Sequence, residues 1–125
     1  MSYDIGIYVK VAGCGKRVMI DEPEHANPTY NLRKMFVACM DWDYEQWRDW
    51  LDDECSRIYY RCDFALKKIE HGIKELSENR KEYEKYNPPN GWGDLDGALA
   101  VLKSLKECIC KWTDEIPLSC LYMAW

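Results

Sequence analysis

The spacing of hydrophobic and polar residues changes along the chain, and each change marks a predicted element. Residues 3 to 12 and 17 to 21 alternate or run apolar with β-branched side chains, and the sequence GCG at 13 to 15 lies between them. A period of two with a glycine-rich connection is typical of a β-hairpin. Residues 3 to 21 therefore predict two antiparallel strands.

Helical spacing begins after the sequence EPEHANP. Apolar residues then recur at steps of three and four, at Leu32, Met35, Phe36, Cys39 and Met40. Asn27 or Thr29 is available as the helix cap, and Pro28 lies near the first turn. These features predict a first helix that ends near residue 40.

A second, longer helix is predicted over about residues 55 to 77. Its apolar stripe consists of Ile58, Cys62, Ala65, Leu66, Ile69, Ile73 and Leu76. The sequence SENRKEYEKY continues as a charged turn or short helix. Asn87 precedes Pro88, which disfavours the α conformation at Asn87, so the helical stretch is expected to end there.

A third helix is predicted to start after the sequence NPPNGWGD. Asp94 is placed to cap it, and its apolar stripe consists of Leu95, Ala98, Leu99, Leu102, Leu105 and Ile109. Gly97 lies inside this helix, where glycine costs up to about 1 kcal/mol relative to alanine. We therefore expect a side chain such as Trp92, or a ligand, to lie close to the backbone at Gly97.

The C-terminal sequence EIPLSCLYMAW predicts a further strand or an extended edge of the hairpin. The fold class is then α+β, with a small antiparallel sheet covered on one face by two or three helices. A length of 125 residues fits a single domain over 1–125. Because an open sheet edge favours symmetric pairing, a homodimer or higher oligomer is expected.

The composition of the chain indicates where the protein is located and which kind of surface it has. The chain begins without a signal-peptide pattern and has no apolar run of about 18 residues, so we expect a cytoplasmic protein that does not contact a membrane. In a reducing compartment the 7 cysteines are expected to be thiols, with Cys39, Cys55, Cys62 and Cys108 in the core. The excess of 6 Trp and 9 Tyr over 2 Phe favours binding surfaces.

Residues 41 to 54 form an acidic segment rich in tryptophan. Seven carboxylates and Arg48 give this segment a formal charge of −6, against −5 for the whole chain. Three interpretations are open: a solvated acidic helix, a contact surface for a basic protein, or a calcium loop. The calcium template lacks its turn glycine, because Gln46 occupies that position, and its terminal glutamate, because Asp52 does.

No catalytic motif emerges from the remaining polar residues. His25 lies in a polar loop and His71 in the predicted long helix, without a metalloprotease motif, a nucleophile elbow or a nearby cysteine partner. Basic residues are dispersed among acids and the pI is near 5.1, which argues against a nucleic-acid footprint. We therefore expect a protein that is not an enzyme and that has no cofactor, no bound metal and no direct nucleic-acid partner.

Several short sequence segments, taken together, resemble a family of small, uncharacterised proteins of phages and prophages of Gram-positive bacteria. The segments are MSYDI, NPTYNLRKMFVACMDWDY, IEHGIKEL, KYNPPNGWGDLDGAL and IPLSCLYMAW. The resemblance covers nearly the whole chain. The resemblance implies a phage accessory protein acting in the cytoplasm of an infected bacterium. Small proteins of this kind often resemble inhibitors of bacterial defence.

Two functions follow as expectations. The first is sequestration of a nucleotide-derived signalling molecule, with aromatic rings stacking on the base and the glycine loop or basic residues receiving a phosphate. The candidate ligand-binding residues are Trp92, Gly91, Gly93, Tyr86, Tyr30, Lys85 and Arg33. The alternative is an anti-CRISPR-like inhibitor that binds a defence protein through the acidic segment, with Trp42, Asp43, Trp47, Trp50 and Asp49 as contact residues.

Overall fold

The centre of the protein is a five-stranded antiparallel sheet whose strand order differs from the order along the chain. The computed structural model describes residues 4–13, 15–25, 28, 30–44, 46, 48–52, 57–91 and 93–125, without the side chains of Tyr30 and Trp50. The strands are β1 (Gly6–Lys10), β2 (Arg17–Asp21), β3 (Trp50–Asp52), β4 (Arg57–Arg61) and β5 (Leu121–Ala124). Their spatial order is β2-β1-β5-β4-β3.

Four helices complete an α+β fold. They are α1 (Arg33–Met40), α2 (Cys62–Glu78), the short α3 (Arg80–Tyr83) and α4 (Leu95–Trp112). Single 3₁₀ turns occupy Tyr30–Leu32, Glu84–Tyr86 and Leu118–Cys120. Helix α2 packs against both α1 and α4. The predicted fold class is confirmed, including the N-terminal hairpin and the C-terminal strand.

Strand β5 lies in the middle of the sheet rather than at its edge. It pairs antiparallel with β1 through Tyr8 and Tyr122, and with β4 through Tyr60 and Met123. All four of its residues are buried, two in the main core under the helices and two in a cluster of tyrosines on the other face. The apolar run near the C-terminus therefore joins two hairpins into one sheet.

Side chains alternate between the two faces of the sheet because successive residues of a strand point in opposite directions. Ile7, Tyr60 and Met123 face the helices and belong to the main core. Tyr8, Tyr59 and Tyr122 form a separate cluster with Ala124 on the opposite face. The guanidinium of Arg17 lies 4.7 Å from the centre of the Tyr122 ring and covers part of that face.

Helix α4 begins where it was predicted to begin, with Asp94 as its cap. The Asp94 side chain accepts a hydrogen bond from the Gly97 backbone N–H at 2.7 Å, and Leu95, Ala98 and Leu102 are buried. Two boundaries differ from prediction. The second helix begins at Cys62 instead of about residue 55, because Arg57–Arg61 forms β4. The first helix begins at Arg33 after a 3₁₀ turn, and Asn27 and Thr29 lie outside the described residues.

The interpretation of residues 41 to 54 as an acidic helix is wrong for the described positions. Helix α1 ends at Met40, and Asp41 adopts a left-handed conformation with φ of 51°. The chain then turns and enters β3 at Trp50. The charged residues thus lie in a connection between a helix and an edge strand.

Candidate functional site

A cleft of about 520 Å³ opens where β4 passes directly into α2. It is lined by Arg48, Asp49, Arg61, Asp63, Phe64, Lys67 and Leu118. Arg61 ends β4, while Asp63, Phe64 and Lys67 follow on the first turns of α2. Leu118 comes from the 3₁₀ turn before β5, so the cleft combines segments that are distant along the chain.

The charges that line the cleft are three cations against two carboxylates, a formal excess of one positive charge. Both carboxylates are engaged with arginines. Asp49 Oδ2 lies 3.0 Å from an Nη atom of Arg17, which itself lies outside the cleft lining. In the described part of the chain, neither Arg48 nor Lys67 is within ion-pair distance of a carboxylate. Among the described residues, Arg48 and Lys67 are therefore the candidate anion contacts of the cleft.

Asp63 forms a two-pronged contact with Arg61 at the rim of the cleft. Arg61 Nε donates to Asp63 Oδ1 at 3.2 Å, and Arg61 Nη2 donates to Asp63 Oδ2. The Phe64 backbone N–H also donates to Asp63 Oδ1, at 2.8 Å. The hydrogen bond from Arg61 is the main reason why the pKa of Asp63 is lowered. Asp63 is therefore a charged competitor for any anion that approaches Arg61.

Phe64 supplies the aromatic surface of the cleft. Its ring is half-buried and lies 6.3 Å from the Trp42 ring, measured between centroids. The Lys68 ammonium lies 5.9 Å from the centre of the Phe64 ring. Phe64 therefore places an aromatic ring, in contact with Trp42, beside the cations of the cleft.

The loop that was predicted as a glycine-tryptophan site leads into α4. Gly91 and Gly93 have φ values of 74° and 96°, which favour glycine. The Gly91 backbone N–H donates to the Pro88 carbonyl at 3.2 Å, and Asn87 Oδ1 accepts from the Leu95 N–H at 2.9 Å. Trp92 lies outside the described residues. The observed contacts explain the loop as a turn followed by a cap.

The other predicted ligand residues lie in separate local contacts. The Tyr86 ring is half-buried, stacks on Tyr83 with centroids 6.4 Å apart, and has the Lys85 ammonium 5.3 Å from its centre. The Arg33 guanidinium lies 4.4 Å from the centre of the Tyr44 ring. Tyr30 belongs to a 3₁₀ turn, and its side chain lies outside the described part. None of these described contacts lines the cleft at the start of α2.

The predicted partner contact of Trp42 stays a prediction, and in this structure its side chain lies inside the core. Trp42 is 3% exposed, and its ring packs 4.8 Å from the Tyr60 ring and 5.6 Å from the Trp125 ring. Asp43 is exposed and accepts a hydrogen bond from the Gln46 N–H at 2.9 Å. Trp47 and the side chain of Trp50 lie outside the described residues, so their predicted partner contacts stay predictions.

The three described cysteines predicted for the core are buried there. Desolvation raises the pKa values of Cys39 and Cys108 to about 12, and it also raises the pKa of Cys62. These thiols are therefore protonated at neutral pH and poor nucleophiles. Cys55 lies outside the described residues. Among the residues that are described, no three His, Cys, Asp or Glu side chains group to hold a metal ion.

Sequence reasoning missed the cleft because it placed Arg61 inside a helix. The one available signal was the alternation of Arg57, Tyr59 and Arg61 with apolar neighbours, which has the period of a strand. The approach of Arg48 and Leu118 depends on tertiary structure and leaves no local pattern.

The fold and the cleft define a class, namely an α+β domain with one antiparallel sheet and a small cationic, aromatic cleft. Comparison with protein-family models, curated proteins and solved structures finds no match. Within the described ranges, no helix combines the length and the apolar character needed to cross a membrane.

Proposed function

We propose that this chain is a non-enzymatic, phage-encoded binding protein that counters bacterial immunity by sequestering a small nucleotide-derived signalling molecule. The observation that carries the proposal is the cleft at the start of α2, where Phe64 lies beside Arg48, Arg61 and Lys67. The phage setting rests on the sequence resemblance alone. The proposed binding site is therefore this cleft and not the glycine-tryptophan loop.

The chemistry of the cleft suits a ligand that has both an aromatic base and phosphate groups. Arg and Lys bind phosphate oxygens through charge-assisted hydrogen bonds, and a base can stack on an aromatic ring. The volume of about 520 Å³ lies within the range of small-molecule pockets, roughly 300 to 1,000 Å³.

The side chains of the cleft favour binding of a ligand over its chemical conversion. A general acid or base works best with a pKa near the operating pH. In the cleft, the hydrogen bond from Arg61 lowers the pKa of Asp63 and so moves it away from neutral pH. Asp63 is therefore an unfavourable proton donor at neutral pH.

The test is a thermal-unfolding and calorimetric titration with cyclic dinucleotides, cyclic ADP-ribose isomers and a mononucleotide. At a hundredfold excess over Kd, binding contributes about 2.7 kcal/mol, which raises Tm by roughly 10 °C in a chain of this size. The bound molecule, recovered after denaturation, is expected to be intact. Absence of any shift with all three ligand classes would remove the proposal, and recovery of a cleaved ligand would replace sequestration with hydrolysis.

Two substitutions with opposite expected effects locate the site. Lys67→Ala removes a phosphate contact and is expected to weaken binding by about tenfold or more. Asp63→Asn removes the competitor for Arg61 and is expected to tighten binding. Lys74→Ala is the matched control, because Lys74 is exposed on the same helix and does not line the cleft. Equal weakening by Lys67→Ala and Lys74→Ala would contradict the cleft as the binding site.

The alternative function, direct inhibition of a host defence protein, is favoured by the exposed carboxylates before β3. The Asp41 side chain is 86% exposed, and Asp43 is exposed nearby. An interface that depends on these charges is expected to associate more slowly at high salt. A stoichiometric host protein captured by the wild type at low salt, and lost with the double substitution Asp41→Asn and Asp43→Asn, would favour this alternative.

A further inference from the structure

The two carboxylates of the proposed binding cleft differ in how far they are used inside the chain. Asp63 Oδ1 accepts from Arg61 Nε and from the Phe64 N–H, and Asp63 Oδ2 accepts from Arg61 Nη2. Asp49 has one contact of this kind, in which its Oδ2 accepts from Arg17 at 3.0 Å. Among the described residues, Asp49 Oδ1 accepts no hydrogen bond. Asp49 is therefore the carboxylate of the cleft with an oxygen left for a ligand.

The Asp49 carboxylate is held in position from two sides. Its backbone N–H donates to the Tyr59 carbonyl at 2.8 Å, which ties the chain before β3 to β4. Arg17, whose side chain is 7% exposed, donates to Asp49 Oδ2 and also to the Gly15 carbonyl, at 2.8 Å. The Asp49 side chain keeps 29% of its surface exposed. A ligand in the cleft thus meets a carboxylate that is already oriented, which reduces the entropy lost on binding.

A carboxylate discriminates between nucleotide bases because an ionised carboxylate accepts hydrogen bonds and donates none. The Watson–Crick edge of guanine presents two adjacent donors, N1–H and the 2-amino group, which match two carboxylate oxygens. Adenine presents its 6-amino donor beside the N1 acceptor, so one carboxylate oxygen would face a lone pair. Asp49 Oδ2 can serve Arg17 and a base together, because a carboxylate has about four acceptor sites. The chemistry of Asp49 therefore favours guanine over adenine.

We infer that Asp49 determines the specificity of the cleft and makes the sequestered ligand a guanine nucleotide, an inference that rests on the proposed function. The guanine ring stacks on Phe64, its Watson–Crick edge donates to Asp49, and a phosphate contacts Arg48 or Lys67. Arg17 is a positioning residue, because it contacts Asp49 and lies outside the cleft lining.

Calorimetric titration of the wild type with GMP, IMP and AMP, and with the three matching cyclic dinucleotides, tests the inference. Within each series the sugar and phosphate are the same and the base alone changes. The guanine member is expected to bind at least about tenfold more tightly than the adenine member, because a charge-assisted hydrogen bond is lost and a repulsion gained. The hypoxanthine member retains N1–H and lacks the 2-amino group, so its affinity is expected to lie between them.

Equal affinity for guanine and adenine, or tighter binding of adenine, would overturn the inference and leave the proposed function standing. Binding of cyclic ADP-ribose isomers without binding of any guanine ligand would do the same. Absence of binding by every one of these ligands would overturn both the inference and the proposed function.

Asp49→Asn separates a contact to the base from a structural role, because its amide oxygen can still accept from Arg17. The new amide donor faces the 2-amino group of guanine, so GMP affinity is expected to fall by about tenfold or more. XMP carries an oxygen at that position and is expected to bind this variant more tightly than GMP does. Asp114→Asn is the matched control, because it removes the same charge from an exposed position outside the cleft.

The control is expected to keep the wild-type order of affinities. An equal loss of affinity for GMP, IMP, AMP and XMP in Asp49→Asn, at an unchanged Tm, would assign Asp49 to the ribose or to the shape of the cleft and overturn the inference. If Asp49→Asn does not fold, the order of GMP, IMP and AMP on the wild type still decides.

Discussion

Gly72 on α2 lies so close to Met40 at the end of α1 that a Cβ atom built on it would stand 2.6 Å from the Met40 Cγ. The same atom would be 3.0 Å from Leu102 Cδ1 on α4. The missing side chain of Gly72 thus allows three helices to meet at one point. A close approach was expected at Gly97, but among the described residues the nearest atom there is Asp94 Oδ1, at 3.1 Å.

Gly72→Ala is expected to lower the free energy of unfolding by about 1–3 kcal/mol, because the new methyl group overpacks the junction of the helices. Gly97→Ala is the comparison, since both glycines lie in helices. There the gain in helix propensity opposes a small displacement of the Asp94 side chain, so a change within about 1 kcal/mol is expected. Chemical unfolding of both variants measures the difference. A larger loss at Gly97 than at Gly72 would contradict the assignment.

The cap of α4 gives a second prediction. Asp94→Ala removes the acceptor for the Gly97 N–H and is expected to cost about 1 kcal/mol, within the range of roughly 0.5–2 kcal/mol for helix caps. Asp94→Asn retains a side-chain oxygen and is expected to lose only a few tenths of a kcal/mol. Thermal unfolding compares the two variants. Equal destabilisation would show that the negative charge, and not the hydrogen bond, is important.

Thiol reactivity gives a third prediction. At pH 8, iodoacetamide is expected to modify the exposed Cys110 and Cys120 much faster than Cys39, Cys62 and Cys108. Burial raises the pKa of each of the latter three thiols and also blocks the reagent. Mass spectrometry of peptides after timed quenching measures each site. The difference is expected to disappear in denaturant, and its persistence there would mean that burial is not the cause.

The Asp21 carboxylate gives a fourth prediction, which concerns pH. Its pKa is lowered, chiefly by the hydrogen bond from Trp112 and also by Lys111. Because the folded pKa lies below the unfolded one, the charged form contributes stability that is complete above the unfolded pKa of about 3.9 and is lost as the pH falls through the folded pKa. The stability difference between wild type and Asp21→Asn is therefore expected to be constant near neutral pH and to shrink in acid. A stability difference that grows in acid would mean that the charged form of Asp21 destabilises the folded chain.

Local patterns predicted most of the fold. The hairpin, the Asp94 cap and the strand before Trp125 each have short-range signals that tertiary structure did not override. Strand β4 was missed because Ile58 satisfies both a helical step of four to Cys62 and a strand step of two to Tyr60. The long helix that follows made the helical interpretation the stronger one for this short segment.

Sequence patterns were less informative about the candidate site than about the fold. Trp42 lies in a strongly acidic stretch, which favoured a surface position, yet its ring is buried among Tyr60, Phe64 and Trp125. Arg61 and Asp63 are only two positions apart in sequence, but the cleft that they border depends on the packing of Leu118 against the start of α2. Such long-range packing has no signature in residue spacing.

The central position of β5 has a consequence for the order of events during synthesis. The β1–β2 hairpin and the β3–β4 hairpin are both translated before β5, yet the backbone ladder of the sheet joins them only through that strand. A nascent chain that lacks Leu121–Ala124 therefore holds two separate hairpins with unpaired edges, and such edges are prone to aggregation. Closure of the sheet brings Gly6 beside Ala124, a contact of very long sequence separation that slows folding. The final assembly step is thus expected to occur after β5 has left the ribosome, with the helices already able to shield the hairpins.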